Sequence, residues 1–300
     1  MQLNWYPSVH LRSGKYEAWV SPAAGARISS LICHTASGAK DLLVPADVST
    51  QFAEDFWPKQ GAFPMLPFSN KLHEARFFWD GIERNVRAVP EQNHGLHGFA
   101  HRLVWRVESQ EVDRVQLIIE HEADSIEWPW SFVGRLEYAL SSEGLSVTLE
   151  IFNDSSTSMP AVLGWHPYVP SSWLREGISS GVGLAMHGLD KNGNCESENL
   201  ICYEAGNFLF ANLTRPHTVV IQNWSSPWTI QTSAGMRWCL TSDSDHLVHH
   251  VPNDLAYACI EPVTALPGSL SRSTINSIQM EVDLQPSQGR RLTCRLSLTE

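Results

Sequence analysis

Apolar and polar residues alternate along most of this chain with a period of two, the mark of half-buried β-strands rather than amphipathic helices. In FVGRLEYALSSEGLSVTLEIFN, Leu136, Tyr138 and Leu140 share one face, the turn SSEG follows, and Leu145, Val147, Leu149 and Ile151 share a face on the return. That pattern predicts a β-hairpin with a glycine-containing turn. RFFWDGIERNV sets Asp80-Gly81 between apolar and β-forming residues and predicts a second hairpin. Val115, Leu117 and Ile119 alternate in DRVQLIIEHE, as do Leu292, Cys294, Leu296 and Leu298 near the C-terminus. No window of a dozen residues carries a clean helical stripe. The expected class is all-β, a large antiparallel β-sandwich. A single domain over residues 1–300 is expected, because neither a linker-like stretch nor an internal repeat divides the chain.

Three segments break the alternation. WPKQGAFPMLPFSNKLH packs Pro58, Pro64 and Pro67 around Gly61, so an ordered loop is expected there instead of a ladder strand. SSWLREGISSGVGLAMHGLDKNGNCESENL is rich in Gly, Ser and Asn and reads as an excursion over the surface. NWSSPWTIQTSAG is a further turn-bearing stretch.

Composition narrows the class of partner. With 43% apolar and 18% charged residues, the chain can bury a substantial core. A net charge of -11 argues against nucleic acid or an anionic membrane surface, which are held by clustered Lys and Arg. The six cysteines (Cys33, Cys195, Cys202, Cys239, Cys259, Cys294) show neither a C-x-x-C pair nor a framework spacing, as expected of thiols in a reducing compartment. The N-terminus lacks the pattern of a signal peptide, and no stretch approaches the ~18 uninterrupted apolar residues of a membrane span. A cytoplasmic location is expected.

Three separated strings offer groups that can move or steady a proton: His97 in NHGLHGFAHRLVW, His166 in LGWHPYV and Glu261 in ACIEPVT. Two imidazoles and a carboxyl suffice for general acid–base chemistry near neutral pH. Gly95 and Gly98 flank His97 and would let a ligand approach the backbone; an ordinary loop histidine is the plain alternative. Pro167 favours an extended conformation for His166 and so a fixed ring direction. Glu261 ends the apolar run LAYACI, which reads as a buried strand, so its carboxyl is expected to be partly desolvated and raised in pKa. A structural glutamate paired with Arg is the competing reading. His94, His97 and His101 are spaced as a metal face would be, but the two glycines discourage a helix there and no Asp or Glu ligand is adjacent. Of the twelve tryptophans, Trp57, Trp105 and Trp165 lie beside these strings, and flat aromatic faces suit the C–H faces of a sugar.

Taken together and in order, these strings resemble the aldose 1-epimerase (mutarotase) family. WVSPAAGARISSLICHTASGAKDLL is similar to its opening strands, GAFPMLPFSNKL to its "fPm.P..NR" loop, LHGFAHRLVW to "HGFxRxxxW", VTLEIFNDSSTSMPAVLGWHPYV to its central block, and ACIEPVT to its glutamate segment. The resemblance covers roughly Tyr16 to Leu298. It implies a galactose mutarotase-like supersandwich with a sugar cleft across one concave sheet face. It also implies that Glu261 takes the proton from the anomeric hydroxyl, His166 protonates the ring oxygen, and His97 positions and polarises that oxygen. No metal or cofactor is implied.

The gripping positions depart from the pattern. Asn70-Lys71 stands where Asn-Arg is usual, which keeps the charge but loses the bidentate fork, and His101 stands where the Arg of HGFxR falls. The expected sugar-binding Asp has its nearest counterpart at Asn207, in GNFLF. Asn70, Lys71, Trp165 and Asn207 are thus the candidate substrate-binding residues. The expected partner is a small-molecule sugar or sugar phosphate; the leading variant is a sugar-phosphate (hexose-6-phosphate) 1-epimerase, with Arg76 and Lys71 as candidate phosphate-binding residues. Two rivals remain open: a non-catalytic sugar-binding module on the same fold, and a metal-dependent hydrolase built on His94, His97 and His101.

Overall fold

Two large antiparallel sheets carry most of the strands of the computed structural model, which describes the chain apart from residues 1, 4–6, 48, 50–51, 54–56, 91, 184, 190–194, 202–205, 212–215, 272–281 and 300. The nine-stranded sheet is built around the predicted hairpin: Phe132–Ser141 pairs with Gly144–Asn153, which pairs with the C-terminal strand Gly289–Thr299. Leu136, Tyr138, Leu140, Leu145, Val147, Leu149 and Ile151 all point inward, as their alternation predicts. The eleven-stranded sheet runs from Val9–Ser13 through Ala62–Met65, Gly164–Pro170, Tyr257–Val263 and His246–Val251 to Cys195–Ile201. One apolar core containing residues from Val9 to Leu298 joins the two sheets. Hydrogen bonds also cross it: the Tyr138 hydroxyl donates to the Ala26 carbonyl at 3.0 Å, and the Trp238 indole N–H donates to the Leu42 carbonyl at 3.0 Å. The Asp80-Gly81 hairpin forms as predicted, with Trp79 opposite Ile82.

Two segments differ from expectation. Ala62–Met65, inside the proline-rich string, is a strand in the middle of the larger sheet, with Trp165 opposite Pro64 and His166 opposite Phe63. Proline is tolerated because the ladder on the other side makes a single pairing, Ile28 with Ala62, and stops before Pro64, so no bond requires the missing N–H. The Gly/Ser/Asn-rich segment holds a six-residue helix, Ser171–Glu176, and strands in both sheets, Gly177–Gly183, Ala185–Leu189 and Cys195–Ile201. Its glycines answer to packing: a Cβ at Gly181 would lie 2.1 Å from the ring of buried Trp228. In the third segment, Ser225–Thr232 is a strand that ends in the expected turn. Among the described residues no helix is long and apolar enough to cross a membrane.

Candidate active site

The outer face of the larger sheet carries a second apolar cluster, including Trp57, Phe63, Met65, Tyr168, Val248 and Cys259. Strand alternation places the candidate residues among them. On Gly164–Pro170, His166 and Tyr168 face this cluster, whereas Trp165 and Val169 face the core. On Tyr257–Val263, Cys259, Glu261 and Val263 face outward. The pairings of Gly164 with Val263 and Tyr168 with Cys259 set His166 across from Glu261. His166 Nε2 lies 3.5 Å from Glu261 Oε1. His97 arrives from a loop, its ring centroid 4.8 Å from that of His166 and edge-on to it. One ligating atom from each of the three residues falls within 4.8 Å of the others, at 8%, 5% and 3% exposure for His97, His166 and Glu261.

The loop that delivers His97 is held by backbone. His97 has φ of 58° and Asn70 has φ of 60°, the left-handed region that non-glycine residues rarely occupy. They lock each other there: the His97 N–H donates to the Asn70 carbonyl at 3.0 Å, and the Asn70 N–H donates to His97 Nδ1 at 3.2 Å. Gly98, with φ of 65°, lies so close to Leu66 that a Cβ would meet the Leu66 carbonyl oxygen at 1.8 Å. The glycine permits the approach of Leu66, not of a ligand. Because Nδ1 accepts the Asn70 N–H, the neutral ring carries its proton on Nε2 and presents a donor toward His166.

Burial governs the charges. Desolvation pushes the Glu261 carboxyl up to about 8, since no cation among the described residues is paired with it to offset the loss of water. Desolvation also holds His97 at about 3 and His166 well below the ordinary imidazole range, assisted in both by the Lys59 charge. The Arg27 guanidinium, fully buried, lies 4.6 Å from the Phe63 ring, on which the His166 ring also stacks, at 4.6 Å. Arg27 donates to the Gln60 carbonyl at 2.8 Å, and its charge further disfavours an imidazolium at His166. At neutral pH the Glu261–His166 pair therefore holds one dissociable proton, resident on the carboxyl.

The donor set bears on the metal reading. Two imidazoles and a carboxylate lie at ligand spacing, but a metal-bound histidine normally donates its other N–H to an acceptor. His97 instead receives a proton donor at Nδ1, which leaves Nε2 protonated and suited to a substrate oxygen. His94 and His101 are not part of the group: His94 accepts the Glu74 N–H at 3.2 Å, and His101 is buried against Trp57.

The other candidates scatter. Asn70 acts on His97 through its backbone, while its side-chain amide reaches Ser69 at 3.4 Å. Lys71 lies where its charge acts on His94. Arg76 is engaged by Glu74 and by Glu83, the latter at 3.5 Å, on the Asp80-Gly81 hairpin. Trp165 is fully buried in the core between the sheets and offers the cleft no surface, which corrects the sugar-stacking expectation; Trp105 is likewise core. Asn207 lies on Gly206–Ala211, at the edge of the other sheet, and its side chain is outside the described residues. Only Trp57 of the three tryptophans borders the site, donating its indole N–H to the Tyr168 hydroxyl at 3.2 Å. Lys59, whose ammonium lies 4.2 Å from the Trp57 ring, was not singled out from the sequence. Neither was Tyr168, although its place two residues beyond His166 puts it on the same face.

The comparisons with known proteins fit this frame. The sequence profile of the family described as Aldose 1-epimerase matches residues 7–182, more than half of the chain. The chain belongs to the aldose 1-epimerase family. A protein of Escherichia coli K12 described as uncharacterized protein YphB is 32% identical over 111 residues, 37% of this chain and 37% of that protein. Among solved structures, a galactose mutarotase-like protein from Clostridium acetobutylicum superimposes with a TM-score of 0.80 at 19% identity, covering 98% of this chain and 95% of the other. A galactose mutarotase-like protein from Lactobacillus casei gives 0.77 at 17%, covering 97% and 100%. Identities this low speak for the shared fold. The family is one of carbohydrate epimerases.

Proposed function

We propose that this protein interconverts the α and β anomers of an aldose by opening and reclosing the sugar ring. The observation that carries the reading is a buried carboxyl and imidazole 3.5 Å apart, beside a second imidazole whose tautomer makes it a donor. Opening a pyranose requires that the anomeric hydroxyl lose a proton while the ring oxygen gains one. Glu261, as carboxylate, takes the first proton. His166, as imidazolium, gives the second, and His97 Nε2–H steadies the ring oxygen.

Each half of the cycle moves one proton in and one out, so the pair's total does not change. Opening converts carboxylate and imidazolium into carboxylic acid and imidazole, the distribution that burial favours. Rotation about the C1–C2 bond and closure from the other face restore the first distribution. The pair titrates as a unit, with a single proton to place. The chemistry gives no task to a metal or cofactor, and we assign the protein to the cytoplasm with a free sugar as substrate. The sugar-phosphate variant is not supported by Arg76, which is tied to two glutamates at the surface.

Anomer exchange followed by NMR across a panel of aldoses tests the reading. Glu261→Gln keeps the shape but cannot take a proton, so exchange should fall by roughly 10²-fold or more, and His166→Asn should behave alike. If Glu261→Gln exchanges anomers at nearly the wild-type rate, Glu261 is structural and the sugar-binding-module reading gains.

A further inference from the structure

Resting on the epimerase reading, we infer that His250, held by Thr218, is a substrate-positioning residue that donates a hydrogen bond to one ring hydroxyl and so sets hydroxyl selectivity. The register of the larger sheet brings it there. Cys259 is opposite His250, and His250 is opposite Thr218, while Glu261 is opposite Val248. Side chains alternate, so His250 and Thr218 share the outer face with Cys259 and Glu261. From Glu261, His250 is one strand over and two residues along, about 8 Å between Cα atoms by strand spacing and rise, the scale of a sugar ring with its hydroxyls. The side chains between are apolar: Val248, Val220 and Cys259 form the floor.

The ring of His250 is oriented from behind. Thr218 Oγ1 and His250 Nδ1 are 2.7 Å apart. With the Thr218 hydroxyl as donor to Nδ1, the neutral imidazole carries its own proton on Nε2. Nε2 has no hydrogen-bond partner among the described residues, the side chain is half-buried, and the ring lies near enough to His97 and His166 for its charge to bear on both. Burial and the His217 and Lys59 charges keep the ring neutral. A donor on an apolar floor, one ring's width from the acid–base pair, matches a hydroxyl oxygen at the far side of the sugar.

The test is a variant-by-substrate comparison with glucose, galactose and their monodeoxy analogues, read as kcat and KM for anomer exchange. His250→Phe should raise KM about tenfold, the worth of one neutral hydrogen bond, with kcat little changed. The wild type should lose about tenfold on removal of one particular hydroxyl, and His250→Phe should lose nothing further at that position. Thr218→Val should show part of the same KM effect, and Thr218→Ser should restore it. Equal deoxy penalties in wild type and variant at every position would overturn the proposal, as would a fall in kcat at unchanged KM. The same series measured as affinity by calorimetry in Glu261→Gln separates the two readings. Discrimination that depends on His250 without turnover in the wild type overturns the epimerase reading alone, and turnover without such discrimination overturns this one alone. If the wild type neither binds nor turns over any of these sugars, both fall.

Discussion

Replacing Glu261 by Gln should make the protein more stable, by an amount that grows with pH. In the unfolded chain this carboxyl ionises from 4.5 upward, whereas in the fold burial defers ionisation to about 8. A raised folded pKa contributes stability that is fully present below the unfolded value and is lost as pH rises through the folded value. Each pH unit between 4.5 and about 8 thus removes about 1.4 kcal/mol from the wild type. Glutamine cannot ionise in either state and escapes the loss. The variant's advantage should be about 1 kcal/mol at pH 5, about 3 kcal/mol at pH 7, and level off near 5 kcal/mol above pH 8.

Urea unfolding from pH 5 to 8.5 measures this as the difference between the two proteins. At pH 7 the variant should melt roughly 6 °C higher, at roughly 2 °C per kcal/mol for a chain of this size. The depressed histidines act in the opposite window: their contribution is lost as pH falls below 6.5, where the unfolded rings take up protons. They occur in both proteins and cancel in the difference. A difference independent of pH would refute the reasoning, because it would mean that Glu261 is ionised in the fold at neutral pH. A variant less stable at every pH would show that an interaction of the carboxyl outweighs its burial.

Three further outcomes follow from the same geometry. The pH profile of kcat/KM should be flat through 6.5 and fall above about 8, where the Glu261–His166 pair loses its proton; a profile that falls below pH 6.5 would assign the controlling group elsewhere. Gly98→Ala should cost about 3 kcal/mol or more, since it combines positive φ with contact on the Leu66 carbonyl, whereas Gly95→Ala, which meets mainly side chains, should cost less; chemical denaturation distinguishes them. Trp165→Phe should lower stability while leaving KM for the sugar unchanged in the exchange assay, and a selective rise in KM would return Trp165 to the cleft.

The strands that pack one face on the core were legible because burial on one side writes a period of two into the sequence, as in Phe132–Ser141 and Gly144–Asn153. Where composition misled, a tertiary reason outweighed a local one. Gly181 reads as loop but makes room for Trp228, and Pro64 reads as a ladder breaker but sits where its missing N–H has no bond to make. His97, His166 and Glu261 could be nominated from residue type and surroundings. His250 and Lys59 could not, since cross-strand register and loop placement bring them to the site.

The least legible part of the candidate site is the one that assigns its protons. The tautomer of His97 depends on the backbone N–H of Asn70, a group every residue but proline carries, so no side-chain motif announces it. What the sequence can carry is permission: Gly98 tolerates the positive φ and the contact with Leu66 that hold His97 in place. Residues in the left-handed region, a fully buried Arg27 and a carboxyl buried without a paired cation are each unfavourable for folding. They converge on one cleft, and a broad core joining both sheets is what sustains them. The deferred ionisation of Glu261 thus links the two halves of the problem: the burial that weakens the fold as pH rises also keeps the pair's single proton in place at neutral pH, where a sugar could exchange with it.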